Sequence, residues 1–281
     1  METEIYFFSG TGNSFFVAKE LQKRLSNAEI VPIVKLLNEG SIQTKGKCIG
    51  IVFPVHALSI PIAIHKFLKR VDIESAEYVF VIATRLGIVF HDFNRIVRLL
   101  KRKGKKLNAH FLINMYSNDS KDKQYQVPSI EEIKQIEDET LCQLDEIGKL
   151  ILNRKDSLED DKTYLTNLPY NKVGNFFLEK IVTFLLRLSE YIGGVNYFYH
   201  DSKCTGCGIC ERVCLSTKVR MVNRHPIWQK KVLCYMCYAC LNYCPAFAVQ
   251  IKDIPGVKSH SKDVGRYTHP YANSKDILLQ K

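Results

Sequence analysis

Continuous apolar runs alternate with stretches of helical spacing from the first residues to about Asn114. Ile5 to Phe8, Glu29 to Val34, Cys48 to Phe53, Tyr78 to Ala83 and Phe111 to Asn114 read as buried strands. Each is short, apolar on both faces and bounded by turn residues. Between the first two, Phe16, Val17, Glu20 and Leu21 fall at helical spacing. This alternation predicts an α/β fold, a doubly wound five-stranded parallel sheet with helices on both faces. In such sheets ligands bind beyond the carboxyl ends of the strands. The loops after strands one, three and four, which are Ser9 to Ser14, Pro54 to Pro61 and Thr84 to Gly87, should therefore surround a bound group. The basic stretch Val97 to Lys106 closes a helix with Gly104 as its cap; its cations complement the negative helix end or offer a docking patch to an acidic partner.

Beyond Asn114 the pattern changes. Ser120 to Gln126 is polar and reads as loop. Ile130, Ile133, Ile136, Leu141, Leu144, Ile147 and Ile151 then mark one amphipathic helix, with Pro128 near its start. The charged stretch Lys155 to Lys162 interrupts it. Val173, Phe177, Ile181, Phe184 and Leu188 predict a second helix ending at Gly193-Gly194, whose aromatic face is expected to pack between domains or to bind a partner. The resulting division is 1–120, a helical connector over 121–198, a cysteine-rich unit over 199–255 and a tail over 256–281.

The length of 281 residues suits roughly two domains, and 46% hydrophobic with 25% charged residues is the composition of a folded globular chain. No export signal is expected from Met1 to Ser9 and no membrane span from any apolar stretch, so a cytoplasmic protein is expected. Ten cysteines in such a chain point to metal rather than to disulfides. Eight form two runs, Cys204, Cys207, Cys210, Cys214 and Cys234, Cys237, Cys240, Cys244, each reading C-x2-C-x2-C-x3-C. Three thiolates at these gaps can hold three corners of an iron-sulfur cube, while the fourth, at the start of a helix leading away, serves the other cube. Cys204, Cys207, Cys210 and Cys244 would hold one 4Fe-4S cluster, and Cys234, Cys237, Cys240 and Cys214 the second. Zinc also takes four thiolates, but its ribbons use two C-x2-C pairs. Cys48 and Cys142 are expected to be buried small apolar residues. Trp228, between the runs, either covers a cluster or belongs to the core.

The region from Asp201 to Lys252 resembles the bacterial two-cluster ferredoxins, including Cys244-Pro245 and the small residues Gly206, Gly208 and Ala239. Leu215 stands where that family usually has proline, and the stretch between the runs is longer. The loop Ser9-Gly10-Thr11-Gly12-Asn13-Ser14 offers backbone N–H groups, hydroxyls and a helix N-terminus, a set that can hold a phosphate without lysine. Phe15 replaces the third glycine of a dinucleotide fingerprint, and a P-loop lysine is absent. An ordinary capped turn is the plain alternative. The loop resembles the FMN-phosphate loop of flavodoxins. Together the two halves resemble a family of flavodoxin-ferredoxin fusion proteins of anaerobic microbes. That family usually has Phe-Pro-Val-Tyr after strand three, where this chain has Phe53-Pro54-Val55-His56, and of its motif after strand five only Met115 and Asn118 are kept.

The resemblance implies a flavodoxin-like domain and a small α+β ferredoxin-like domain, with FMN and two 4Fe-4S clusters as cofactors. FMN would be bound by Ser9, Gly10, Thr11, Gly12, Asn13 and Ser14, by Pro54, Val55, His56, Ala57 and Leu58, and by Thr84, Arg85, Leu86 and Gly87. Flavin handles one or two electrons and each cluster one, so the expected function is electron transfer with a soluble redox partner or a small-molecule acceptor. A reductase acting on a small molecule would use His56, Arg85 and Tyr116 to orient or protonate it; His56 is otherwise a solvated loop histidine. A regulatory redox module that has lost flavin is the third class. The formal charge of +11 falls to about +5 with two clusters and FMN bound, which leaves little reason to expect nucleic-acid binding.

Overall fold

The computed structural model describes residues 2–87, 90, 92–158, 172–191, 196–253 and 258–281. Its main body is one parallel sheet of strands β1 (Thr3–Phe7), β2 (Ala28–Pro32), β3 (Cys48–Pro54), β4 (Tyr78–Arg85), β5 (Ala109–Asn114) and β6 (Ser157–Leu158), in the order β2-β1-β3-β4-β5-β6. The first five reproduce the 2-1-3-4-5 order of flavodoxin-like doubly wound folds. The sixth, absent from the sequence reading, is two residues of the charged stretch pairing Ser157 with Ala109 and Leu158 with His110 at the sheet edge. A strand this short and polar leaves no apolar run to detect. Pairing also explains a glycine inside a strand: Gly50 on β3 lies opposite Phe80 on β4, and a Cβ there would sit 2.2 Å from the Phe80 ring.

Helices α2 (Ile33–Leu37), α3 (Ile62–Arg70) and α4 (Phe93–Lys101) cover one face, burying Tyr6, Ile51, Phe53, Phe67, Ile96 and Leu100 together. Gly104 ends α4 as expected, with φ 69° and the Lys105 N–H donating back to the Leu100 carbonyl. Helices α1 (Asn13–Arg24) and α5 (Ile130–Leu152) cover the other face with Val17, Leu21, Leu144 and Ile151. A capping box joins Ser129 and Glu132 at the start of α5. Only the second half of the apolar stripe of α5 is buried, since Ile130 is 81% exposed. Cys142, on the same helix, is exposed rather than buried; Cys48 lies in the core.

Helix α6 (Lys172–Tyr191) forms where expected, and Gly193-Gly194 falls outside the described residues. On its apolar face Phe177, Ile181 and Phe184 are exposed to solvent. Among the described residues no helix is long and apolar enough to cross a membrane.

The cysteine-rich unit consists of β7 (Phe198–His200), α7 (Ile209–Arg212), β8 (Val219–Val222), β9 (His225–Trp228), α8 (Ala239–Asn242) and β10 (Val249–Ile251), followed by α9 (Ser274–Leu278). Strands β7 and β10 pair antiparallel, as do β8 and β9. The unit repeats itself with a constant offset. Helix α7 corresponds to α8, β8 to β10, and left-handed residues recur in pairs: Gly206 with Met236, Gly208 with Tyr238, Thr217 with Phe247. Each helix carries the third cysteine of its run, Cys210 or Cys240, and ends before the fourth. The fourth cysteine therefore follows a helix rather than starting one, because one helical turn is what carries the chain from one thiol group to the other. The core of the sheet runs on into this unit without a break, taking in Val213, Leu215, Cys237, Ala239 and Ile277.

Candidate functional site

At the end of β1 the chain turns through Ser9 to Gly12, whose φ of 108° suits only glycine, into the N-terminus of α1. The Gly12 N–H donates to Ser9 Oγ at 3.1 Å, and Asn118 Nδ2 donates to Thr11 Oγ1 at 3.1 Å. Both hydroxyls act as acceptors there, so each keeps its own hydrogen for a further partner. Ser14 Oγ and Thr84 Oγ1 share a hydrogen bond of 2.8 Å that ties this loop to the end of β4. Asn13 is held by Tyr116 and Tyr267: its Nδ2 donates to the Tyr116 carbonyl and its Oδ1 accepts from the Tyr267 hydroxyl.

After β3 the loop folds back on itself. His56 and Ser59 exchange both backbone hydrogen bonds, with Ala57 and Leu58 in the left-handed region between them. Asp92 fastens the turn by accepting from Ser59 Oγ at 2.6 Å and from the Ile60 N–H. His56 is not a solvated loop histidine. Its ring lies edge-on to Phe8 at 5.9 Å, and burial pulls it down to about 4 although the Tyr235 backbone bonds to it. The imidazole is thus neutral at physiological pH, which suits it to accept or donate a hydrogen bond rather than to act as a cation.

These loops open on one cleft of about 850 Å³ at the carboxyl ends of β1, β3, β4 and β5. Of the residues expected around a flavin, Ser9 to Thr11, Asn13, Ser14, Pro54 to Leu58 and Thr84 to Leu86 line it; Gly12 and Gly87 do not. Tyr116 lines it too, beside Met115 and Asn118. A further part of the lining was not legible in the sequence. It is made by Met236 and Tyr238 from the second cysteine run and by Tyr197 before β7. Met236 and Tyr238 occupy the places that Gly206 and Gly208 hold in the first run, so large side chains at left-handed positions mark that part. Burial pushes the Tyr238 phenol far up; its hydroxyl meets that of Tyr197 at 3.3 Å and accepts from Lys121 Nζ at 3.3 Å.

The cysteines fall into two groups that mix the runs. Cys210 has Cys204, Cys207 and Cys244 as its electrostatic neighbours, and these four thiols line one small cavity. Cys240 has Cys214, Cys234 and Cys237. Burial pushes Cys210 and Cys237 each up to about 12. Thiols so buried and so crowded by their own kind become thiolates readily only around a cation. Backbone N–H groups already point at the sulfurs, from Val219 to Cys214, Met236 to Cys234 and Ala248 to Cys244, at 3.3 to 3.4 Å. Trp228 stands beside Cys240 and favours its thiolate. Near the second group Lys218 is 1% exposed, its ammonium donating to the Gln229 and Val232 carbonyls with Cys214 and Cys234 as electrostatic neighbours.

The second group touches the cleft loop directly. A Cβ on Gly10 would meet the Cys237 carbonyl oxygen at 2.1 Å, and Asn118 Nδ2 donates to that same oxygen at 3.3 Å. The C-terminal segment crosses behind the loop. Gln280 accepts from the Ser9 N–H at 3.0 Å and donates to the Ser9 carbonyl at 2.8 Å, and the His269 N–H donates to the Thr11 carbonyl.

No protein-family model matches the chain, and no curated protein does. Solved structures with flavodoxin-like and other flavoprotein folds do. A flavodoxin from the domain Archaea is similar at 10% identity over 53% of this chain and 99% of its own, with a TM-score of 0.32. The two-electron reduced flavodoxin of Megasphaera elsdenii is 12% identical over 50% of this chain and 98% of its own, with a TM-score of 0.29. An FMN-dependent NADH-azoreductase from Bacillus anthracis, in complex with FMN, is 9% identical over 53% and 98%, with a TM-score of 0.34.

Proposed function

We propose that the chain is an electron-transfer flavo-iron-sulfur protein, holding FMN in the cleft and a 4Fe-4S cluster in each cysteine group, and exchanging electrons with a redox partner. One observation carries this reading: Met236 and Tyr238 of the second cysteine run line the same cleft as the Ser9 to Ser14 loop, with Cys237 itself in contact with Gly10. Flavin supplies a centre that takes one or two electrons, and each cluster a centre that takes one.

The residues fit these groups. Ser9, Thr11, Ser14 and the N-terminus of α1 form an uncharged anion cradle. The turn at His56 to Ser59 and the segment Thr84 to Leu86 form the sides against which a flat ring would lie, with Met236 and Tyr238 completing the lining and keeping water from it. His56, neutral and fixed by packing, would contribute one hydrogen bond to a ring edge. Lys218 places a buried positive charge beside the second cysteine group, which favours added negative charge there. The division into a flavodoxin-like unit over 1–120, a connector over 121–198, a ferredoxin-like unit over 199–255 and a tail is part of the same proposal.

A second reading is favoured by the length of the cleft, which continues past the strand ends to Val127, Glu132 and Lys252 and so has room for a small molecule beside a flavin. In that reductase His56, Arg85 and Tyr116 would contact the substrate, and unchanged turnover in variants of His56 and Arg85 would exclude it. The first test is flavin, iron and sulfide content of protein purified without oxygen, followed by stepwise reduction with optical and paramagnetic-resonance detection. One FMN and eight irons exchanging electrons is the expected outcome. Eight irons without flavin would overturn the assignment of the cleft, and zinc in place of iron the whole reading.

A further inference from the structure

We infer that the chain exchanges electrons with an acidic protein, which docks on a cationic face around the first cysteine group. The inference rests on the proposed function and adds to it the point of exit and the charge of the partner.

The two cysteine groups differ in their access to solvent. In the second, Cys214, Cys237 and Cys240 are buried and Cys234 is half-buried, and Met236 and Tyr238, on either side of Cys237, line the cleft. In the first, Cys207 is exposed and Cys204 half-buried, and no residue of the run from Cys204 to Cys214 lines the cleft. A centre in the first group is therefore the one that a second protein can approach closely, while the second group lies between it and the cleft.

Charge around that opening is one-sided. From Ser202 to Leu233 the chain carries Lys203, Arg212, Lys218, Arg220, Arg224, Lys230 and Lys231 against the single acid Glu211. Lys218 is buried, but Lys203, Arg212, Arg220 and Arg224 are exposed. Arg212 Nη1 donates to the Cys207 carbonyl at 3.3 Å, Arg224 packs against Gly206, and Lys203 precedes Cys204 in the chain. Glu211 is half-buried and engaged, accepting from the Met221 N–H and lying 4.0 Å from Arg220. The nearby Asp201 caps the Lys203 N–H and accepts from Gln250. Acidic residues gather instead on α5, far along the chain, where Glu131, Glu132, Glu137, Asp138, Glu139, Asp145 and Glu146 stand. A cationic ring around an exposed redox centre attracts and orients an anionic surface, and rejects a cationic one by like-charge repulsion.

The test uses the full chain with its cofactors, reduced and mixed without oxygen with an acidic blue-copper protein. One electron leaves the chain and reduces one Cu(II) to Cu(I). The second-order rate constant should fall about tenfold or more as ionic strength rises from roughly 0.01 to 0.5 M, because the Debye length shrinks from about 30 Å to a few ångströms. Lys203→Glu/Arg224→Glu should lower the low-salt rate about tenfold, and Arg220→Glu, out on β8, should lower it by a smaller factor. Iron content and the rate with a neutral quinone should stay within about twofold in both variants. A basic c-type cytochrome should react more slowly at low salt than at high salt. With iron intact, a rate indifferent to salt and to both variants, or a cytochrome accelerated at low salt, would overturn the docking face while leaving the proposed function standing. Protein without iron would overturn both.

Discussion

A single methyl group at position 10 would collide with the Cys237 carbonyl, since the space that its Cβ needs is 2.1 Å from that oxygen. Neither backbone can give way cheaply: the loop is tied through Asn118 and Ser9, and the cysteine is set by the residues on either side of it. Gly10→Ala is therefore expected to destabilise the protein by about 1–3 kcal/mol, as overpacking does, and to lower flavin content with it. Gly40→Ala, which meets nothing within 4 Å, is the control that should leave both unchanged. Urea midpoints and flavin absorbance check the pair. At this scale the sequence was most informative where chemistry is local. The eight cysteines and the Ser9 to Ser14 loop carry their meaning in spacing alone, and the structure brings each set together. The crossing of the fourth cysteines, expected from spacing, reappears in which thiols neighbour which. Met236, Tyr238 and Tyr197 were not legible, because nothing local to them says that they share a cleft with a sheet edge from far up the chain. The burial of His56 was not legible for the same reason: Phe8 and Tyr235, which pack on it, are remote in sequence.

Elements show the same division between near and far. Strands β1 to β5 and helices α1, α4 and α5 could be read because each carries apolar residues whose period is visible in a short window, even in β2, which is only half-buried. The two-residue β6 and the left-handed turn at Ala57-Leu58 depend on partners outside any window. So does the C-terminal segment, read from sequence as a tail. In the structure it is a strap. Tyr267 bonds Asn13 and Asn242, His269 and Ala272 cover Gly12, Ile277 is fully buried and Gln280 takes both backbone groups of Ser9. Gln280→Ala would leave a buried N–H and a buried carbonyl without these partners, at about 1–3 kcal/mol each. The expected result is a lower urea midpoint and weaker flavin binding, read by fluorescence titration, with iron content unchanged. Gln280→Glu keeps an acceptor for the Ser9 N–H but no longer donates to the carbonyl, so it should fall between the two. A stability loss in Gln280→Ala with undiminished flavin affinity would mean that the strap braces the fold and not the cleft.

For the molecule as a whole, the two proposed cofactor sites depend on each other unequally. The sheet has its own cores on both faces, with Phe53, Phe67 and Leu100 on one and Val17, Leu21 and Leu144 on the other. The cysteine-rich unit has a small core in which Cys210, Cys214, Cys240 and Cys244 are themselves members. A core built around the proposed metal ligands loses its reason to close when the metal leaves, since the metal–sulfur bonds that tie the two cysteine runs together go with it and little other apolar surface is buried there. That same unit supplies one wall of the cleft, whereas the sheet supplies none of the eight cysteines. Removing iron with a chelator under reducing conditions should therefore release flavin as well, weakening its binding by at least tenfold, while the far-ultraviolet signal of the sheet persists. Removing flavin by dialysis should leave all eight irons in place. Sequential stripping, with iron and flavin assayed after each step, distinguishes the orders. Tight flavin binding after complete loss of iron would show that the sheet edge alone makes the site, and that Met236 and Tyr238 stand near the flavin without holding it.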